Sequence, residues 1–333
     1  MKGKEKIGIW MICLIWVLVA GCSHSEDDAA VPVNKDVKTR LLTFTQVENR
    51  GSRAVLNEDA ENGLLALWKR GDQLGCCNLS TLEDDIFVFE RISTGTLTTQ
   101  DDGVTSIFQG TMSCDQGNRL AVIYPVKNFD FGKESEPEDR YFAKYTITLS
   151  GQDGTLGTLA NRYHYMFGVA TVNSVTSSTA EASGKMQSLL AVCKFSFKDG
   201  NNKGIRVKNL EISYFNDGIW GDSQTNPHND GSWSNSQTYP QRATVKFYDD
   251  GAYSFDPDAS NNQGGGDDPL IIELETAADA VYVALLPVTT RTFRFEVTDD
   301  NEKVYTGVAK GTLNAGEFVV ASLPLKMKNE SGI

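Results

Sequence analysis

The segment "VCKFSFKDGNN", Val192 to Asn202, sets Val192 or Cys193, then Phe195 and Phe197, on alternating sides of Lys194 and Ser196, and runs into a cluster of Asp, Gly and Asn. A period of two is that of an extended chain with one face buried. Asp, Gly and Asn in a row supply the side-chain hydrogen bonds and left-handed backbone of a turn. The same text recurs on either side. "ATVKFY" (Ala243 to Tyr248) sets Val245 and Phe247 against polar neighbours, and "TFRFEV" (Thr292 to Val297) sets Phe293, Phe295 and Val297 against Arg294 and Glu296. Turn signals fall between such runs, at Asp101 to Gly103, Lys198 to Asn202, Asp249 to Gly251 and Thr298 to Asn301. Short half-buried strands punctuated in this way predict an all-β chain of antiparallel sandwiches.

Other stretches interrupt that pattern. "NEDAENGLLALWKRGD" (Asn57 to Asp72) is the one place a short helix is expected, with Asn57 as its cap and Gly63 against it. "TVNSVTSSTAEASGKMQ" (Thr171 to Gln187) is small and polar and is expected to link two domains. "DPDASNNQGGGDDP" (Asp256 to Pro269) is expected as a long hairpin loop. It does not match a calcium loop, because Asn261 stands where that loop needs glycine.

The N-terminus reads as an export signal. "IGIWMICLIWVLVA", Ile7 to Ala20, supplies 14 mostly apolar residues behind a basic start, whereas crossing a bilayer needs roughly 20. The "VAGC" ending at Cys22 resembles the lipobox of bacterial lipoproteins, which implies cleavage before Cys22 and acylation of its thiol, the bilayer then being held by buried methylenes. Ser23 resembles an outer-membrane signal, and "SEDD" (Ser25 to Asp28) resembles the acidic tether of surface lipoproteins of Bacteroidetes, though a solvated linker accounts for it equally well. Three of the 31 basic and one of the 44 acidic residues precede Ser23, leaving 28 against 43 and a formal charge of −15. So acidic a surface repels phosphate backbones, so nucleic acid is not an expected partner.

Of six cysteines, Cys13 falls in the signal and Cys22 is the lipidation site, leaving Cys76, Cys77, Cys114 and Cys193. Adjacent Cys76 and Cys77 point to opposite faces of a strand. Two outcomes stay open, buried thiols acting as small apolar groups or a pairing through Cys114. No CxxC, HExxH, GxSxG or Walker pattern is present, and no metal or cofactor is expected. Trp220, Trp233 and Tyr239 lie in a Gly/Asn-rich stretch, which makes Trp220 and Trp233 candidate glycan contacts or, alternatively, anchors that pin a loop.

Taken in order, "WKRGD" (68–72), "FQGTM" (108–112), "LAVIYP" (120–125), "LANRYHYMFG" (159–168), "LLAVCKFSF" (189–197), "VYVALLP" (281–287) and "YTGVAKGTLNAGE" (305–317) resemble the fimbrillin family of Bacteroidetes. The resemblance covers about Thr39 to Lys328. It implies a signal peptide (1–21), a tether (22–38) and two transthyretin-like β-sandwich domains (39–184 and 185–333). It also implies a structural subunit of a surface fimbria, supporting adhesion, whose partners are other subunits and, through the lipid on Cys22, the outer membrane. In that family a trypsin-like protease cuts after an arginine behind the first strand and removes it. Here the strand is Leu41, Leu42, Thr43, Phe44, Thr45, Gln46 and Val47, and the bond is Arg53–Ala54 in "SRAV", with Arg50 and Arg40 as fallbacks. The freed edge then accepts a strand from another subunit. The family's donor is usually C-terminal, and "GEFVVASLPLKMKNESGI" (316–333) alternates imperfectly for that task. The alternatives are a permanent edge strand at Leu41 to Val47 with Arg53 an ordinary loop residue, a surface lipoprotein that binds glycan or a matrix protein, and, last, a hydrolase with carboxylates distant in sequence.

Overall fold

The computed structural model describes residues 38–47, 55–59, 63–81, 94–103, 106–126, 142–215, 237–238, 241–248, 250–257 and 269–328. All fall in one compact unit, Lys38–Ile333. Most of the described residues are in strands and few are in helix, as the alternation predicts.

The first ten strands are β1 (Thr39–Gln46), β2 (Val55–Asp59), β3 (Gly63–Leu67), β4 (Gln73–Asn78), β5 (Thr94–Thr99), β6 (Ile107–Ser113), β7 (Arg119–Tyr124), β8 (Ala143–Thr148), β9 (Met166–Val175) and β10 (Thr179–Ser188). Seven of them close a barrel in the order β1-β10-β9-β7-β4-β5-β6, with β6 returning to β1. Its interior is filled by Leu42, Phe44, Trp68, Leu74, Leu97, Phe108, Met112, Leu120 and Met186, among others. Strands approach closely enough that two glycines are required. A Cβ on Gly168 would stand 2.1 Å from the Lys185 carbonyl, and one on Gly110 would stand 2.1 Å from that of Thr96.

On the side formed by β4, β7 and β9 the outer face of the barrel is buried as well, so β4 is buried on both sides. Cys76 points into the barrel, and Cys77 points out into a second core. That outer core is covered by a three-stranded sheet in which β8 pairs with β15 (Arg242–Phe247), and β15 with β16 (Tyr253–Pro257). Phe167 of β9 meets Phe247 of β15 with ring centroids 4.4 Å apart.

The remaining strands are β11 (Ala191–Lys198), β12 (Gly204–Ile205), β13 (Val207–Phe215), β14 (Gln237–Thr238), β17 (Leu270–Ala278), β18 (Val281–Leu285), β19 (Val288–Asp299), β20 (Val304–Leu313), β21 (Phe318–Pro324) and β22 (Lys326–Met327). One sheet gathers β12, β18 and β21 around β11, and another runs β14-β13-β19-β20-β22 with β17 on β13. The two sheets meet as a sandwich across Phe195 and Phe197 of β11 and Phe295 of β19, with centroids 5.1 and 5.9 Å apart. Two turns share one chemistry. The Asp199 carboxylate accepts from the N–H groups of Asn201 and Lys203, and that of Asp299 accepts from Asn301 and Lys303. Each turn places one residue in the left-handed region, Asn202 at φ 63° and Glu302 at φ 59°.

Three expectations are corrected. The helix expected from Asn57 is instead the β2–β3 hairpin, with Leu56 opposite Ala66 and Glu58 opposite Leu64. Pairing and burial of Leu56 override the local cap. The tract Thr171 to Gln187 is not a link but most of the β9–β10 hairpin, in which Val172, Ala180, Ala182 and Met186 are buried. Small residues are what a tightly packed barrel admits there. Asp256 to Pro269 does not connect a hairpin, because β16 pairs β15 while β17 pairs β13 in a different sheet. The limited helix, Leu156–Thr158 continuing into Leu159–Tyr163, starts where the Thr155 hydroxyl accepts from the Thr158 N–H at 3.2 Å.

Candidate functional site

β1 is the element on which the sequence-based mechanism turns. Its alternation puts Arg40, Leu42, Phe44 and Gln46 inside the barrel, and Thr39, Leu41, Thr43 and Thr45 on the outer face, followed by exposed Val47. It is not an edge strand. One side pairs antiparallel with β6, from Thr39 opposite Ser113 to Thr45 opposite Ile107, and the other pairs parallel with β10, from Leu41 opposite Thr179 to Gln46 opposite Gly184. The reading of Leu41 to Val47 as a permanent edge is corrected on this ground.

The inner face of β1 has three parts. In the middle, Leu42 and Phe44 have no exposure, and Phe44 packs against Phe108 at 6.0 Å. At the start, the Arg40 guanidinium donates from Nε to the Thr176 carbonyl (2.8 Å) and from Nη1 to the carbonyls of Lys38 (3.2 Å) and Cys114, and pairs with the Asp115 carboxylate at 2.8 Å. At the end, the side-chain Oε1 of Gln46 accepts from Trp68 Nε1 at 2.6 Å. Trp68 is itself fixed edge-on to Phe108 (4.8 Å) and Tyr124 (5.2 Å). Burial pushes the Tyr124 hydroxyl up to about 12, with Asp72 adding to the rise. Burial also raises the Cys114 thiol, against the opposing pull of Arg40. The four cysteines Cys76, Cys77, Cys114 and Cys193 are free and buried, with Cys77 and Cys193 each raised to about 12 by burial.

The strand that follows the expected cut is tied elsewhere. Glu58 of β2 accepts from Lys194 Nζ of β11 at 2.6 and 2.7 Å and from the Tyr282 hydroxyl of β18 at 2.6 Å. Lys194 lies 5.5 Å over the Tyr282 ring. The hydrogen bond from Lys194, then that from Tyr282, lowers the Glu58 carboxyl, and the same contact with Glu58 raises the Lys194 ammonium.

The structure thus brings Leu41 to Gln46 together in one strand with Val47 after it. Cys22, Arg50, Arg53, Ala54, Trp220 and Trp233 lie outside the described residues. Arg40, a fallback for the cut, is 7% exposed and sits in a strand paired on both sides, so its peptide bond is closed to a protease while β1 is in place. The clasps formed by Arg40 with Asp115, by Gln46 with Trp68, and by Glu58 with Lys194 and Tyr282 were missed from sequence. The one signal was that Arg40 and Gln46 share the period of Leu42 and Phe44, which places polar groups on the buried face. No helix among the described residues is long and apolar enough to cross a membrane.

No family model matches this chain, and no curated protein does. Among solved structures, a "putative cell adhesion protein" from Bacteroides uniformis is similar over 87% of this chain and 96% of its own, at 11% identity and a TM-score of 0.49. A second protein so described, from Bacteroides ovatus, gives 12% identity, the same coverage and a TM-score of 0.49. A fimbrial protein from Bacteroides ovatus gives 9% identity over 86% of this chain and 50% of its own, with a TM-score of 0.36.

Proposed function

We propose that this chain is a structural subunit of a cell-surface fimbria, exported as a lipoprotein through Cys22, held at the outer membrane and switched to assembly by a cut at Arg53–Ala54. It carries adhesion through the polymer and has no catalytic residues of its own. The division into two transthyretin-like sandwich units, 39–184 and 185–333, remains part of the proposal; the barrel core draws on residues 42 to 186, whereas β8 pairs with β15 across that boundary. The observation that carries the reading is the placement of β1. It is the first described strand, it closes the barrel between β6 and β10, and the arginine-bearing segment follows it directly in sequence. A cut there leaves β1 held to the rest of the fold by non-covalent contacts alone: hydrogen bonds, packing and the Arg40–Asp115 pair. Its departure opens a groove with unpaired backbone on two sides and the Leu42 and Phe44 sites between them, which a strand from another subunit fills. Of the three arginines considered, Arg53 and Arg50 remain, since Arg40 is part of the strand that leaves.

Arg53→Ala, alone and then with Arg50→Ala, is expected to abolish both the size shift on processing and polymer formation, read by gel, N-terminal sequencing and electron microscopy. Fibres that assemble normally from the double variant, with Leu41 to Val47 still attached, rule the mechanism out.

A further inference from the structure

The vacated groove is chemically uneven, and its unevenness specifies an occupant. Position 40 is surrounded by acceptors, the carbonyls of Thr176 and Cys114 and the Asp115 carboxylate. Positions 42 and 44 are closed apolar sites. Position 46 faces Trp68 Nε1, a group that donates and cannot accept. An apolar side chain at position 40 leaves the buried Cys114 carbonyl unpaired, and an acid there meets Asp115. A donor-only side chain at position 46 leaves two donors facing each other. Because acceptors stand at one end and a donor at the other, the groove also has a direction. A strand entering backwards puts its acceptor against acceptors.

We propose that this groove selects its incoming strand by four alternate positions, a cation, two large apolar side chains and a hydrogen-bond acceptor, read in the direction of β1. Its occupant is a strand of that chemistry from a different subunit, not residues 316–333 of a second copy of this chain. The inference rests on the strand-replacement reading above and names its partner. In residues 316–333 the register Gly316, Phe318, Val320, Ser322 and the register Leu323, Leu325, Met327, Asn329 each supply two apolar groups and an acceptor, but neither begins with a cation. The register beginning at Glu317 puts an acid against Asp115.

The test uses the chain with residues 48–53 replaced by the site of a sequence-specific protease, cut, and then offered excess fluorescent peptides. Uptake is read by anisotropy and by mass of the complex, with circular dichroism taken before and after cutting. A peptide of residues 38–47 is expected to displace β1. The same peptide with Arg40→Ala or with Gln46→Leu should bind at least about tenfold more weakly, the loss expected when a charged or buried hydrogen-bond partner is removed. The reversed sequence should not enter. A 316–333 peptide should be weak, and its Leu323→Lys form should recover about tenfold. Equal affinities for the native, Arg40→Ala and Gln46→Leu peptides, or a 316–333 peptide as tight as that of β1, overturn the selection rule and leave strand replacement standing. Failure of the native peptide itself to enter the cut, folded chain overturns both.

Discussion

Deleting the Arg40 guanidinium separates the contribution of an ion pair from that of a set of carbonyls. Arg40→Ala removes donation to Thr176 (2.8 Å), to Lys38 (3.2 Å) and to the buried Cys114 carbonyl, together with the 2.8 Å pair to Asp115. Asp115 is 41% exposed, so water screens the pair, and it contributes ~0.2–1 kcal/mol. Hydrogen bonds from a charged donor contribute ~1.5–3 kcal/mol where the acceptor would otherwise be buried and unpaired. The buried Cys114 carbonyl therefore dominates. Arg40→Ala should cost ~2–4 kcal/mol and Asp115→Asn less than ~1 kcal/mol. Arg40→Lys should fall between, since one ammonium cannot reproduce the spread of Nε and Nη1. Unfolding in urea measures the difference directly, and in a thermal scan it appears as roughly 4–8 °C at about 2 °C per kcal/mol for a unit of this size. Raising the salt should shrink the Arg40→Ala effect only by the share of the ion pair. Equal losses for Arg40→Ala and Asp115→Asn, or an Arg40→Ala loss below ~0.5 kcal/mol, would refute this reasoning.

Three further outcomes are expected. The Glu58 carboxyl is lowered in the fold from an ordinary value of 4.5, so its contribution is present above that value and is lost as the pH falls through the depressed one; Glu58→Gln should flatten the acid limb of a stability-against-pH curve below about pH 4.5, and coincident acid limbs would count against the clasp. Gly168→Ala forces a Cβ to within 2.1 Å of the Lys185 carbonyl, whereas a Cβ at Gly200 meets nothing within 4 Å. The first should therefore lower stability by ~1–3 kcal/mol or more and the second should change it little, with equal melting temperatures speaking against the barrel geometry. Because Thr171 to Gln187 is paired strand, mild proteolysis should spare it, and a first cut there, mapped by mass spectrometry, would reopen the reading of a link.

The sequence by itself determined the all-β class and, in the strands that alternate clearly, which residues face inward. Phe195, Phe197, Phe293, Phe295, Val245 and Phe247 are buried as their period of two requires, and the turns at Asp199 and Asp299 close through the side chains that announced them. Period two is a property of one chain segment, set by the alternation of Cβ directions, so it needs no knowledge of neighbours. Only the tertiary structure decided the partners. β1 lies between β6 and β10 because the barrel closes there, β8 pairs with β15 about a hundred positions away, and Asp256 to Pro269 joins two sheets. The polar tract Thr171 to Gln187 is structural for the same reason, since its small side chains suit a close-packed wall that no local window reveals. Arg40 shows the limit most directly. In sequence it is a basic residue two positions before a leucine, and its burial depends on carbonyls from Cys114 and Thr176, groups that every residue type carries and that only the fold brings to it.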